Sequence, residues 1–433
     1  MAVARRFFRP LGHGGFACLA ALAAMPAHAG PDDATATPGV VAVAQAPTGP
    51  EPGHWMDTFK VSGHIETGIT GNPDAPRNHL NFGHLFTDRA NEALLDQLMG
   101  TVERPLDPKA EGVDIGFKLQ GMFGSDARYT HFLGELDRDI GARHQVDIVE
   151  ANLLMHLPVS ALEGGMDVKA GQYSTPLGAE VIDATGNFFY SHSYIFNFGL
   201  PFKHTGALAT MHATSLVDLY LGVDSGVNTS IGKGDNNDDP AGLTGFGLNL
   251  WDGKATVLAL THIGPENPKN TLGVPNGALR YINDITTVVK PNDKLTLTTD
   301  LNWIRDDGFK ADGYGAEFYG VYAINEWLSG GGRVEVWRDA QGFFVGAFPG
   351  NLDFVNLERG FPATVFGGGR TTYFAGTLGL NIKPPTPDGV PLLQGIVFRP
   401  ELRYDRSLSG TRPFDAGTSV DQVTIAGDLI ISF

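Results

Sequence analysis

The sequence predicts an all-β fold: a transmembrane, up-and-down antiparallel β-barrel of about 16 strands with both chain ends on the same side. Three observations carry this reading. Apolar and polar residues alternate over segments near the ~9–11 residues that a tilted membrane strand requires. The connections between those segments sort into a short set and a long set. The chain ends on an amphipathic strand that closes with Phe433.

The beginning of the chain sets the compartment. Arg5, Arg6 and Arg9 precede an apolar run from Phe16 to Met25, and Ala27-His28-Ala29 is a small-x-small cleavage site. Residues 1–29 therefore read as a secretory signal peptide. The apolar run is about half of the roughly 20 residues that a spanning helix needs. Cys18, inside it, is the only cysteine, so the chain beyond has no disulfide, thiol nucleophile or cysteine metal site. Residues 30–57 are rich in Ala, Pro, Thr and Gly without a period, and read as a flexible periplasmic leader.

From residue 58 to 433 the chain reads as strands over 58–71, 91–104, 112–124, 145–157, 165–177, 204–213, 217–226, 242–251, 254–263, 277–289, 294–304, 314–326, 329–340, 371–383, 394–406 and 419–433. The least secure is 91–104, where Leu94, Leu95, Leu98 and Met99 also fit one face of a helix. The last is the clearest: Val423, Ile425, Gly427, Leu429, Ile431 and Phe433 share one face, and Gln422, Thr424, Asp428 and Ser432 lie on the other.

The short connections are 105–111, 158–164, 214–216, 252–253, 290–293, 327–328 and 384–393. The long ones are 72–90, 125–144, 178–203, 227–241, 264–276, 305–313, 341–370 and 407–418. Short turns on one rim and long loops on the other describe an outer-membrane barrel with both termini periplasmic. Asp252-Gly253 and Pro291-Asn292-Asp293 supply turn chemistry on the short side. Trp251 and Trp327 lie at short turns and Trp303 towards the other end of its strand, as interfacial girdles require.

Composition narrows the function. The chain carries 31 basic and 48 acidic residues. Without the three signal arginines the balance is 28 against 48, or −20. A charge of that sign disfavours nucleic acid as a partner. Glycine, 57 residues, is spread through the chain, as strand bends and close backbone approaches require.

The polar faces of the strands are the candidate pore lining. Arg399, Glu401, Arg403 and Asp405 alternate with Ile396, Phe398, Leu402 and Tyr404. A charge turned to lipid costs up to about 2–4 kcal/mol at the midplane, so these four should face a lumen. Arg333, Glu335 and Asp339 repeat the device, as do Asp300 with Asn302, and Asp114 with Lys118 and Gln120. Such mixed charges facing a water channel would screen solutes by sign.

The third long connection is unusually aromatic, with Phe188, Phe189, Tyr190, His192, Tyr194, Phe196, Phe198 and Phe202. It should leave bulk water for the lumen, as a constriction loop, or for a neighbouring subunit. Asp235 to Asp239 resembles a calcium loop in composition but lacks its spacing. Gly232-Lys233 lacks the Ser or Thr of a phosphate loop. The 13 histidines show no metal-ligand pair on one face, and no nucleophile elbow occurs. No catalytic residue, cofactor or metal is expected.

Several segments resemble one family, the outer-membrane β-barrel porin-2 (OmpL-like) proteins. They are Val113-Asp114-Ile115-Gly116-Phe117, Gly124 to Arg128, Asn187 to Ser191, Phe202-Lys203-His204-Thr205-Gly206, Asp218 to Gly226, and Pro400 to Asp405. The resemblance covers about Phe59 to Phe433. It implies a passive porin in the outer membrane of a Gram-negative bacterium, surrounded by lipid and lipopolysaccharide. Phe433 would then be the signal read by the barrel-assembly machinery. A homotrimer follows only by analogy with other porins. The expected function is passive diffusion of small hydrophilic solutes or ions with a mild cation preference. The alternatives are a barrel hydrolase and a surface adhesin.

Overall fold

A computed structural model describes residues 58–433 except 138–140, 232–235, 272, 386–389 and 391–392. The signal-peptide and leader readings lie outside these residues. The strands are β1 (Lys60–Gly71), β2 (Ala93–Arg104), β3 (Asp114–Gly124), β4 (Gln145–Leu157), β5 (Met166–Ser174), β6 (Lys203–His212), β7 (Val217–Asp224), β8 (Ala241–Leu250) and β9 (Ala255–Pro265). They continue with β10 (Leu279–Asn292), β11 (Leu295–Asp306), β12 (Ala311–Asn325), β13 (Leu328–Asp339), β14 (Gly346–Ala347), β15 (Phe366–Gly367), β16 (Thr371–Ile382), β17 (Gly395–Ser407) and β18 (Asp421–Ser432).

Among the described residues, all but the two-residue strands β14 and β15 form one closed antiparallel barrel of sixteen strands. Closure removes both sheet edges. β18 pairs with β1, with Ile65 opposite Ile431 and Thr67 opposite Leu429. Phe433 extends the seam, since its N–H and carbonyl both bond Gly63, at 2.9 and 2.8 Å. Both ends of the barrel sequence thus meet on the rim of the short turns.

The outer face is what the alternation requires. Ile65, Ile69, Leu98, Ile115, Leu119, Leu221, Phe318, Val334, Leu402 and Ile425 are all exposed, while inward neighbours such as Glu66, Gln120, Glu317 and Asp428 are buried. No helix among the described residues is long and apolar enough to cross a membrane; the crossings are made by strands. Trp251, Trp303 and Trp327 are exposed, Trp303 at the long-loop end and the other two at short turns.

Two elements differ from expectation in detail. The ambiguous segment is a strand, β2, and its irregular pattern comes from a bulge opposite Glu66 and Thr67. The extra residue lets Asp96 and Gln97 both turn inward and shifts the alternation by one, so Leu94 and Met99 face in while Leu95 and Leu98 face out. The expected long loop 305–313 is only the turn 307–310. Arg305 bonds Asp307 and Asp312, and these pairs let β11 and β12 continue to its base.

The outward strand faces predict a cost for charge. Ile425→Arg should destabilise the barrel by about 2–4 kcal/mol in lipid vesicles. Urea unfolding followed by tryptophan fluorescence would show it, and an unchanged midpoint would contradict a lipid-facing position.

Candidate functional site: a lumenal insert on a charged wall

Residues 175–202 connect β5 to β6 through the barrel interior. Leaving bulk water exposes this segment to the penalty for unpaired backbone groups, and the inner wall answers it group by group. The N–H of Gly178 donates to Asp284 at 2.9 Å and that of Ala179 to Asp300 at 2.9 Å. Gln97 accepts the Ala184 N–H and donates to the Ile182 carbonyl. Arg399 donates to the carbonyls of Ala184 and Asn187, at 2.9 and 2.8 Å. Glu401 accepts the N–H groups of Tyr190 and Ser191. Glu335 accepts that of Tyr194, and Arg403 donates to the His192 carbonyl, both at 2.6 Å. Asn302 donates to the Gly199 carbonyl at 3.3 Å.

One acid of the insert reaches back. Glu180 Oε1 accepts from Arg333 at 2.6 Å and from the Tyr319 hydroxyl at 2.7 Å. Its Oε2 accepts from His192 Nδ1 at 2.9 Å and the Ser193 N–H at 3.0 Å.

The aromatic rings fill the space between these bonds. Phe188 and Phe189 pack edge to face at 4.9 Å over Tyr319 and Val321. Tyr190 lies on Gly68 and Phe188 on Gly331, where an added Cβ would fall 2.4 and 2.5 Å from the rings. Tyr194 stacks on Tyr373 at 5.0 Å beneath the Arg403 guanidinium. A π turn, Ile195–Gly199, sets Phe196 against His192, Phe86 and Phe202. All eight aromatic residues expected in the loop are buried.

The expected lining residues therefore face inward, but most of them lie under the insert rather than against open space. Asp300, Asn302, Arg333, Glu335, Arg399, Glu401 and Arg403 are buried by their bonds to it. Asp405 holds the first long loop through His84 at 3.1 Å. Asp339 accepts four N–H groups, from Gly342 to Val345. Gln120 reaches Asp183 of the insert at 3.0 Å. Asp114 pairs with Arg104 at 2.7 Å, and Lys118 with Glu150 at 3.2 Å.

The accessible inner wall is elsewhere, towards the short-turn ends of β3–β7. There Lys118 is 28% exposed, and Asp167 and His212 are 37% and 31% exposed. His156 bonds Asp167 at 2.7 Å, and His212 bonds Asp218 at 2.8 Å. Asp183, on the insert, is 31% exposed. Of this surface the sequence reading named only Asp114, Lys118 and Gln120. The alternation of Asp167 with Lys169 was a signal for the rest.

A second feature lies on the long-loop side. A cavity of about 330 Å³ is walled by Phe198, Phe309, Phe344 and Phe354, with Arg280, Glu266 and Glu358 among its polar groups. Glu358 ends the helix α1 (Asp353–Glu358) of the 340–370 connection. Burial pushes its carboxyl up to about 8, against the opposing hydrogen bond from Asn228.

Comparison with known proteins places the chain. The family model described as "Putative beta-barrel porin-2, OmpL-like" matches residues 58–433. The chain belongs to this family. Among solved structures, the porin is similar to the outer membrane channel DcaP of Acinetobacter baumannii, with a TM-score of 0.52 and 11% identity over 87% of this chain and 97% of that one. It is similar also to OprB of Pseudomonas putida, with a TM-score of 0.52 and 14% identity over 87% and 95%. At such identities the likeness is one of fold. Comparison with curated proteins gives no match. The porin is an outer-membrane barrel of a Gram-negative bacterium.

Two outcomes test the insert. Glu180→Ala leaves Arg333 buried without its main acid, a loss of about 3–5 kcal/mol. Protease cleavage within 181–190 and a larger single-channel conductance should follow; a resistant insert with unchanged conductance would rule out the anchoring role. Glu358 gives a pH effect. Its folded form favours the proton, so its contribution falls as pH rises above the usual 4.5 and is lost beyond about 8. Amide exchange of α1, corrected for intrinsic rates, should quicken between pH 6 and 9 and stay flat in Glu358→Gln.

Proposed function

We propose that this porin lets small hydrophilic solutes and ions diffuse passively, with a mild preference for cations. The observation that carries the reading is the division of the lumen. The insert covers the wall of β10–β13 and β16–β18 with β1 and β2, while the short-turn half of β3–β7 keeps charged groups accessible. Sixteen strands are enough to enclose an aqueous channel, and the insert narrows it to this sector. Acids there are Glu103, opposite Lys118, with Asp167, Asp183 and Asp218, and Glu150 buried against Lys118; the lysines are Lys118 and Lys169, and His156 and His212 pair with the acids beside them. A modest excess of carboxylates along a narrow passage favours cations by a small factor.

The same reading puts both termini in the periplasm, has Phe433 recognised by the barrel-assembly machinery and lipopolysaccharide around the long-loop rim, and favours a trimer by analogy with other porins. Planar-bilayer recording tests its centre. Steady ohmic conductance is expected, with a reversal potential in a KCl gradient that marks cations as the more permeant ions. Asp167→Lys should move that potential towards anions. A protein that inserts yet conducts nothing would favour a barrel enzyme or an adhesin, and clear anion preference would refute the charge argument.

A further inference from the structure

At the long-loop rim three strands bring together side chains that the sequence keeps far apart. His204 begins β6, Asp224 ends β7 and His262 lies near the end of β9. One ligand atom from each falls within 4.8 Å of the others, and all three residues are buried. His204 Nδ1 is 3.4 Å from Asp224 Oδ2, and His262 Nε2 is 3.0 Å from Asp224 Oδ1. Register makes the meeting: Gly206 lies opposite Asp224, and a Cβ there would strike the Val223 carbonyl at 2.1 Å. The intervening strand β8 offers Ala241 opposite Asp224, too small to fill the space.

The polar atoms at the centre lack partners. His204 Nδ1, Asp224 Oδ2 and His262 Nδ1 are buried without a hydrogen bond, and so is Glu266 Oε1 beside them. His204 Nε2 lies 3.0 Å from Thr175 Oγ1. With Nε2–H donating there, Nδ1 turns a lone pair towards a carboxylate oxygen, a repulsive contact that a cation between them removes. Glu266 Oε1 stands 4.0 Å from His262 Nδ1, on the side of the ring away from Asp224. A carboxylate that accepts the N–H of a ligating imidazole fixes its tautomer and orientation; Glu266 stands just outside that reach and would close on the ring as the ion binds.

We propose that His204, Asp224 and His262 bind one divalent transition-metal ion, best met by zinc, through His204 Nδ1, an Asp224 oxygen and His262 Nε2, with Glu266 orienting His262. Two imidazoles and one carboxylate suit zinc and its neighbours, whereas calcium and magnesium require oxygen-rich sites. Three protein ligands leave a fourth position open. Glu266 also lines the 330 Å³ cavity, which brings that cavity to the edge of the site.

The test uses full-length protein folded in detergent, stripped with EDTA and dialysed against zinc chloride, with bound metal counted by mass spectrometry. A single zinc per chain is expected, lost in the double variant His204→Gln/His262→Gln and retained in His144→Gln, a histidine of the 125–144 connection whose ring rests on Phe123, outside the site. Glu266→Gln should weaken binding by about 10–100-fold. No zinc on the native protein, or undiminished zinc on the double variant, overturns the proposal. Should the double variant fail to fold, cobalt on the native protein decides. Intense visible bands of four-coordinate cobalt support the site, and only the weak bands of six-coordinate cobalt overturn it. Metal counting is independent of conductance, so the two readings fail separately.

Discussion

A chain segment that crosses the inside of a barrel removes its backbone N–H and C=O groups from bulk water, and each one left unpaired costs free energy. The 175–202 insert meets this constraint by bonding to the wall. Arg399 and Arg403 each donate to carbonyls of the insert while pairing with acids of the wall, Asp428 and Asp405. Glu335 and Glu401 accept its amides while lying near those guanidiniums. While Asp339 and Asp405 hold other loops, Arg333 and Glu335 of β13 and Arg399, Glu401 and Arg403 of β17 are thus the hydrogen-bond complement of one irregular segment. Their mixed sign follows, because a backbone presents donors and acceptors alike. Burial of so many ions costs solvation, and pairing within the wall together with the bonds to the insert offsets part of it; Asp300 Oδ1, Arg333 Nε, Glu335 Oε1 and Glu401 Oε1 are buried without a hydrogen bond.

That dependence explains what the sequence disclosed and what it withheld. Membrane strands announce themselves by a two-residue period under a strong constraint, lipid outside, so every barrel strand was legible with its approximate bounds. The period fails where backbone geometry changes it. At β2 a bulge puts Asp96 and Gln97 on one face, and the leucines around it then mimic a helix. At β11 and β12 the charged residues Arg305, Asp307 and Asp312 look like loop, yet they pair across the turn and prolong the ladder.

The site was legible in part for the same reason. An aromatic run between two strands has to be buried, and the shelters open to it were the barrel interior and a neighbouring subunit. Inward charges were equally plain from alternation. Hidden was the coupling between the two: whether a wall charge meets water or an amide depends on where the insert lies, and no local pattern encodes that path. Glu180, the anchor of the insert, stands between Ala179 and Val181, ahead of the aromatic run and with no periodic signal. His204, Asp224 and His262 are further out of reach. Their neighbourhood exists only through the registers of four adjacent strands, so spacing along the chain says nothing about it.

The uneven cover of the wall has a physical cause in the wall itself. Where the insert lies, inward acids and cations reach out to its amides and carbonyls, as at Asp284, Asp300, Glu335 and Arg399. On the short-turn half of β3–β7 the inward groups satisfy one another instead, Lys118 with Glu150, His156 with Asp167, and His212 with Asp218. A wall already paired within itself offers an irregular backbone little in exchange for leaving water, while its exposed charged groups remain favourably hydrated. The insert is thereby directed to one side of the barrel. On the proposed reading, permeation through the uncovered side needs no moving part, because the edge of the insert is drawn by which wall residues have spare hydrogen-bonding capacity.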